Sequence, residues 1–451
     1  MTDRSNEINR AYIALLTIVA ALGGLLFGFD IAIITGAGPF IEKYFHLEHS
    51  QLGLGFAFAS LLFGCMFGAF FAGRLTDIYG RKKILIYVAF LFIITSLLTG
   101  ISTDYTLFII VRFLGGIAVG AVSMLSPMYI AEVSPPKIRG MLVSCFQLSI
   151  VFGILISYLL NYVLRDTGID NWRWMFMSGI FPAALFFGLL FLVPETPRFL
   201  YKTGKEEKAF DVLKKIGGES LANTEIAEIR ESLKIKQGRF VELFKPAYAK
   251  MLFVGIMIAI LNQVSGINAI IDYAPKIFMT AGFNIDSALF GTFGLGIVNC
   301  VFTLISLYTV DRFGRKRLFI TGSAGMTLSL ITLSYMSFIN RFEGMLVLAA
   351  CMVYLSFFSA CIGPVLWTLL SEIFPNRMRG VAMMVPVVVL WFFNGLMVWL
   401  FPEMLKNFRT GTFLFIALMA LIQLLFTIKW IPETKGKSLE EIEKLWQKPK
   451  N

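Results

Sequence analysis

Gly73-Arg74-Leu75-Thr76-Asp77-Ile78-Tyr79-Gly80-Arg81-Lys82-Lys83 is written a second time, in the other half of the chain, as Val310-Asp311-Arg312-Phe313-Gly314-Arg315-Lys316-Arg317. Each copy stands between two long apolar runs, so the same acidic, glycine and basic hinge joins consecutive segments in each half. Two further pairs recur in the same order at nearly the same separation. Glu132-Val133-Ser134-Pro135-Pro136-Lys137-Ile138-Arg139-Gly140 returns as Glu372-Ile373-Phe374-Pro375-Asn376-Arg377-Met378-Arg379-Gly380. Pro194-Glu195-Thr196-Pro197-Arg198 returns as Pro432-Glu433-Thr434-Lys435-Gly436. Chance does not produce three such pairs in register, so the chain is built from two matching halves. Parallel repeats of six spans are a known route to a carrier with its site at the repeat interface, near mid-membrane.

Composition sets the surroundings. The 451 residues are 57% hydrophobic and 15% charged, with a mean hydropathy of +0.75. A membrane span takes about 20 mostly apolar residues. Twelve such runs start near Ala11, Gln51, Ile84, Tyr105, Met141, Arg173, Met251, Ser287, Leu318, Met345, Val381 and Gly411. Their backbone polar groups must be satisfied internally in lipid, which makes runs of this length helices. The alternation of a barrel strand is missing from them.

The net charge is +11. Its location argues for membrane topology and lipid headgroup contact rather than nucleic acid. The loops after spans two, four, eight and ten carry Arg74, Arg81, Lys82, Lys83, Lys137, Arg139, Arg312, Arg315, Lys316, Arg317, Arg377 and Arg379. The opposite loops carry only Lys43, Arg165, Arg173, Lys276, Arg341, Lys406 and Arg409. Basic loops stay in the cytoplasm, which predicts that both termini lie there. The cysteines Cys65, Cys145, Cys300, Cys351 and Cys361 fall within spans and lack disulfide or metal-ligand spacing. They read as packing residues, and no metal or cofactor is expected. The first apolar run is too long for a signal peptide and lacks a cleavage pattern, so it is expected to be retained.

Four segments follow from this reading: an N-terminal six-helix bundle over 1–195, a cytoplasmic linker over 196–248, a C-terminal six-helix bundle over 249–432 and a tail over 433–451. Lys205–Lys215 and Thr224–Lys234 have helical periodicity, with breaks at Gly217-Gly218 and Gln237-Gly238. Short amphipathic helices beneath the bundles are expected. Ser438 could cap another helix in the tail.

Together the doubled hinges, the Glu…Arg-Gly pairs, Pro-Glu-Thr-Pro-Arg-Phe-Leu after span six and Pro-Glu-Thr-Lys-Gly after span twelve resemble the sugar porter family of the major facilitator superfamily, along essentially the whole chain. The resemblance implies an all-α membrane protein with 12 transmembrane helices in two pseudo-symmetric six-helix bundles and cytoplasmic linker helices.

Charged residues at membrane depth are expensive and usually functional. Asp30 lies inside span one and Arg112 inside span four. Arginine stays protonated, so any variable proton belongs to Asp30. Relatives with an aspartate here couple sugar movement to protons, and the competing reading is a static ion pair. At the cytoplasmic helix ends, Asp77, Arg81, Glu132 and Arg139 in one half match Asp311, Arg315, Glu372 and Arg379 in the other. They are expected to latch the cytoplasmic side while the carrier is open outward and to break as it opens inward.

A sugar wants amides, which donate and accept, and an aromatic plane. Asn262-Gln263-Val264-Ser265-Gly266-Ile267-Asn268 and Asp272-Tyr273-Ala274-Pro275 supply them on an interrupted span seven. By the resemblance, Gln147, Gln263, Asn268, Trp367 and Asn394 are sugar contacts. Phe27 and Trp391 flank the site, Gly363 lets backbone approach the ligand, and Tyr273 is an outer gate. Three positions depart from the family pattern: Asn262 replaces a second glutamine, Asp272 a tyrosine and Leu390 a glutamine. Asp272 could bind hydroxyls or alter coupling, and is expected to be a solvated vestibule residue.

The function expected is symport of a monosaccharide or polyol with protons across a bacterial inner membrane, by a monomer. An uncoupled facilitator, a drug antiporter and a sugar-binding membrane sensor are the alternatives. The sugar-type motifs count against the antiporter. His46 and His49 lack partners for catalysis, and no phosphate-cradling motif appears, so an enzyme is not expected and the driving energy must be a gradient.

Overall fold

The structure is a computed structural model that describes residues 8–234, 240–375 and 378–435, with the backbone alone of Ala247, Asp311, Arg379 and Gly380. The Gln237-Gly238 break and the helix expected after Ser438 lie outside the described residues, as does Arg377.

Twelve helices are long and apolar enough to cross a membrane. They are Arg10–Tyr44, Gln51–Tyr79, Arg81–Ile101, Tyr105–Val133, Arg139–Leu164 and Asn171–Leu190, then Tyr248–Asp272, Ile285–Val310, Arg315–Phe338, Gly344–Ile373, Val381–Asn407 and Arg409–Trp430. They are called spans one to twelve. Each apolar run located in the sequence falls on one of them. Even the shortest span, at 20 residues, meets the hydrocarbon thickness, because each residue rises about 1.5 Å.

Spans one to six and seven to twelve form two six-helix bundles of the major facilitator type. Span two packs on span four and span one on span five. Their counterparts repeat this, span eight against span ten and span seven against span eleven. The bundles meet through span two against span eleven and span five against span eight, two versions of one contact related by the pseudo-twofold axis.

The repeated hinge folds identically in both halves. Gly80 and Gly314 end spans two and eight at φ 93° and 90°, a region that suits glycine alone. The next helix starts at once, so its first N–H groups lack an intrahelical acceptor. A carboxylate from the far end of each half fills that need. Glu195 accepts from the amides of Arg81 at 3.0 Å and Lys82 at 3.1 Å. Glu433 accepts from the amide of Arg315 at 3.0 Å. The negative charge also opposes the positive end of the helix dipole. The Pro-Glu-Thr motif and the glycine hinge are therefore two parts of one joint, closing span six onto span three and span twelve onto span nine.

Between the bundles the chain forms Pro197–Lys202, Glu206–Lys234 and a short 3-10 turn at Phe240–Phe244. The long helix is bent at Gly217 and Gly218, where Gly218 takes φ 78°, as the glycine pair predicted. Ala209, Val212, Leu213 and Ile216 form its buried stripe. The amide of Asn9 donates to the Ile216 carbonyl at 2.9 Å, tying the start of span one to this linker. The side of the protein carrying the linker is called the linker face; the other is the far face.

Replacing Glu195 with Ala strips the acceptor from two buried-end amides. The expected result is a loss of about 1 kcal/mol, read as a lower Tm of the purified carrier, with Glu195→Gln retaining part of it.

Candidate functional site

Spans one and four bring the two interior charges together. Arg112 Nη1 donates to Asp30 Oδ1 at 2.8 Å, and Nη2 donates to the Asp30 carbonyl at 3.2 Å. The side chains are 2% and 15% exposed. The guanidinium also lies 5.2 Å from the centre of the Phe176 ring. The pair lies wholly inside the N-terminal bundle.

Span seven is broken where the sequence suggests. One helix ends at Val264, Gly266 takes φ 86°, and a short helix runs Ile267–Asp272 before another break at Tyr273. The break turns amides into one chain: Asn268 Nδ2 donates to Gln263 Oε1 at 2.8 Å, and Gln263 Nε2 donates to Asn262 Oδ1 at 3.2 Å. Asn262 Nδ2 is then left buried without a partner, as are Trp391 Nε1 and Asn394 Oδ1 of span eleven. Buried polar atoms are nearly always satisfied in native proteins. Two donors and an acceptor left open on neighbouring elements match the alternating donors and acceptors of a polyhydroxylated solute.

Aromatic planes complete the site. Phe27 of span one meets Trp391 at 5.9 Å between ring centres and Phe146 at 6.5 Å, so it bridges the bundles. Trp367 is half-buried against the core. Gly363 opens the helix Gly363–Ile373 after a break in span ten, with the Phe358 ring beside it. Gln147 of span five is half-buried and bonds none of the described residues.

Tyr273 closes the far face over this site. Its ring stacks on Phe58 of span two at 4.5 Å and on Phe401 of span eleven at 5.6 Å, and its hydroxyl donates to the Val398 carbonyl at 3.1 Å. Outside this plug, Lys276 reaches Glu42 at 2.8 Å and Gln51 at 2.6 Å. Arg165 meets Asp286 at 2.7 Å, and Trp399 Nε1 donates to the Leu52 carbonyl at 3.1 Å. These links join one bundle to the other at the far face. Among the described residues no direct polar link between the bundles is seen at the linker face. A shallow cleft of about 760 Å³ lies outside the seal, lined by Glu42, Lys276, Lys406 and Arg409 among others.

Asp272 corrects its expectation. It is 4% exposed rather than solvated, because the Tyr273 plug that follows it shuts off the far-face water.

The linker-face charges also differ from expectation in two ways. Arg81 pairs with Glu132 at 3.0 Å and Asp77 at 3.6 Å, and Arg315 pairs with Glu372 at 3.1 Å. Arg139 does not join Glu132. It reaches Glu225 of the linker at 3.8 Å and the Ser134 carbonyl at 3.3 Å, because Arg81 already occupies Glu132. Burial pushes the Glu225 carboxyl above its ordinary range, and Arg139 pulls it partly back. The side chains of Asp311 and Arg379 lie outside the described residues. The two Arg–Glu pairs are intact in a conformer joined at the far face, and each lies within one bundle. Neither pair by itself ties one bundle to the other.

Several contributors gave no sequence signal. Asn299 of span eight accepts from Ser359 of span ten at 2.7 Å, a buried polar link from span eight to a site-bearing helix. Phe58 and Phe401 are ordinary apolar residues until Tyr273 slots between them. Thr434 donates to Glu372 at 2.6 Å, adding the tail to the second charge cluster. The four cysteines Cys65, Cys300, Cys351 and Cys361 are buried and Cys145 is partly so, and none forms a disulfide in the structure. No metal-ligating cluster occurs among the described residues.

The profile of the family described as "Sugar (and other) transporter" matches residues 16–446. The D-xylose-proton symporter of Escherichia coli (strain K12) is 40% identical, over 98% of this chain and 97% of that protein. The arabinose-proton symporter of Bacillus subtilis (strain 168) is 38% identical, over 97% and 96%. The inward open conformation of the xylose transporter XylE from E. coli superposes with a TM-score of 0.86 at 38% identity, covering 96% of this chain and 100% of that one.

Two outcomes are expected of this geometry. A Cβ on Gly55 would strike the Trp399 carbonyl where span two crosses span eleven. Gly55→Leu should hold the far face apart, measured as increased labelling of a cysteine placed at Lys276 by a membrane-impermeant thiol reagent. Arg81→Ala should leave Glu132 buried without its cation and cost about 3–5 kcal/mol. Adding Glu132→Gln should recover part of the lost Tm.

Proposed function

Because the chain belongs to the sugar transporter family, we propose that it carries a monosaccharide or polyol together with a proton by alternating access between its two bundles. The observation that supports this most is the set of buried, unpartnered polar atoms at Asn262, Trp391 and Asn394, next to the Gln263–Asn268 amide chain. A sugar between the bundles satisfies them, with Phe27 and Trp391 against its apolar face and Gln147 and Trp367 across the cavity.

The linker face is the cytoplasmic one, since the basic residues of the hinges concentrate there. The membrane is a bacterial inner membrane, and both termini are cytoplasmic. The bundles, over 1–195 and 249–432, move as bodies, the linker over 196–248 bridges them and 433–451 is the tail. The charge clusters at Arg81–Glu132 and Arg315–Glu372 stiffen each bundle so that it rocks as a unit. The functional unit is a monomer with basic hinges against lipid headgroups. The relatives are symporters of D-xylose and arabinose, so a pentose is the first substrate to test. Asn262 and Leu390 leave shorter or missing amides at the site, which narrows the contacts available to a larger sugar.

Asp30 is the group that holds the transported proton. In its charged form it pairs with Arg112 and locks span one to span four. A proton from the outside removes that charge, releases the guanidinium and lets the helices shift. Deprotonation on the cytoplasmic side restores the pair, a reading that the 2.8 Å contact between the two side chains supports.

The test is counterflow in proteoliposomes with a pentose and polyol panel, followed by uptake with an imposed pH gradient. Asp30→Asn should retain counterflow and lose uphill accumulation entirely. Accumulation by Asp30→Asn under a proton gradient would overturn the assignment, and parent uptake that only equilibrates, unaffected by the gradient, would favour an uncoupled facilitator.

A further inference from the structure

A proton scheme built on Asp30 leaves a second interior acid unused. Asp272 ends the short helix Ile267–Asp272, one turn beyond the amide of Asn268 and immediately before the plug residue Tyr273. It is 4% exposed and makes no hydrogen bond or close ion pair with any described residue. The cation that reaches it electrostatically is Arg112 of span four, which Asp30 already holds. The other charged groups at the plug are Glu42 of span one and Lys276, four residues after Asp272, and these two pair with each other at 2.8 Å. Span five brings the Tyr158 hydroxyl, electrostatically coupled to Asp272 and facing Thr35 of span one. Both of those hydroxyls are buried without a well-formed hydrogen bond. Span ten brings Tyr354, whose hydroxyl donates to the Ser265 carbonyl at 2.9 Å. Tyr273 itself donates to Val398. Span eleven has no titratable residue from Val381 to Pro402.

We propose that Asp272 is a proton-linked gate residue: it must take up a proton from the outer water for the Tyr273 plug to close over it. This rests on the alternating-access reading given above. Tyr273 and Asp272 are consecutive, so withdrawing the ring from between Phe58 and Phe401 carries the carboxyl toward outer water. Closing the plug takes the carboxyl out of that water with no partner waiting. An unpaired carboxylate loses several kcal/mol of hydration in such a place, whereas the neutral acid loses far less. The proton balance is simple. One proton joins the carboxylate from the outer phase on closure and returns to that phase on reopening, so no proton crosses the membrane through Asp272. Its role is distinct from that of Asp30: low outer pH favours closure without changing the number of protons carried per sugar.

The test reads the gate without any sugar. Spin labels at Lys43→Cys and Thr280→Cys, both exposed and on opposite bundles at the far face, report the closed and open populations of the reconstituted full-length carrier. One linked proton changes the closed-to-open ratio by up to about tenfold per pH unit. The parent and Asp30→Asn should both close on acidification over the mildly acidic to neutral range. Asp272→Asn should stay closed at every pH, and Asp272→Glu should regain the pH dependence, which separates a titrating role from a structural one. An unchanged pH dependence in Asp272→Asn, or a parent gate indifferent to pH, would overturn the proposal. So would a fall in the accumulation ratio of Asp272→Asn at a fixed gradient, which would make its proton a transported one. Failure of the transport reading would appear separately, as absent counterflow in the parent.

Discussion

Hydrocarbon offers no hydrogen-bond partner, and this one constraint sorts every ionisable group in the chain. Groups at the helix ends reach water or headgroups, and there the charges are many and form ordinary pairs. Groups at membrane depth have no such outlet, and each must find a partner, lose its charge or sit beside a wet cavity. Asp30 takes the first course with Arg112. Asp272 has no such cation in contact, and the proposed gate gives it the second course when the plug is shut. The same constraint governs the backbone. Span seven can be broken at Gly266 and Tyr273 because the breaks are buried in protein rather than lipid, Gly266 against Ile416 and Tyr273 between Phe58 and Phe401.

Duplication supplies the frame, and departures from it supply the activity. Each half has the glycine hinge, a carboxylate that caps the next helix and an arginine–glutamate pair, with closely matching geometry. These joints fix helices within a bundle and leave the interface between bundles free to change. The functional groups do not follow the symmetry. The interior ion pair belongs to the first half, while the amide chain, the plug and the open polar atoms belong to the second. On the proposed reading, a sugar at the interface touches mainly one bundle while the proton binds in the other. Coupling must pass through the contacts between them, chief among these Phe27 against Trp391.

The number of spans, their starts, the kink at Gly217-Gly218 and the breaks in span seven were legible in the sequence. They follow from local properties: apolar run length, glycine and proline. The meeting of Asp30 with Arg112 was legible for a different reason, since two opposite charges stranded in apolar spans have few other options. What the sequence hid depends on which helices become neighbours. Glu195 and Glu433 stood out as repeated motifs, yet nothing local tells that they cap helices more than a hundred positions earlier. Arg139 was expected beside Glu132 because the two are close in sequence. Competition from Arg81, decided by helix packing, sends it to the linker instead. Asp272 looked solvated because it stands near a helix end, and only the aromatic stack above it shows that water is shut out.

The two interior acids differ in what holds them. Asp30 and Arg112 both lie in one bundle, so rocking of that bundle as a body leaves their separation unchanged, and only helix movement inside the bundle or arrival of a proton can part them. Asp272 belongs to the second bundle and interacts electrostatically with Tyr158 of the first, so rocking itself changes its surroundings. In the proposed scheme a proton on Asp30 alters which internal arrangement a bundle adopts, whereas a proton on Asp272 alters which face of the carrier is closed. A chain with both acids has separate means of registering the proton it carries and the acidity of the water it opens to, and those means share no ionisable partner other than the distant field of Arg112.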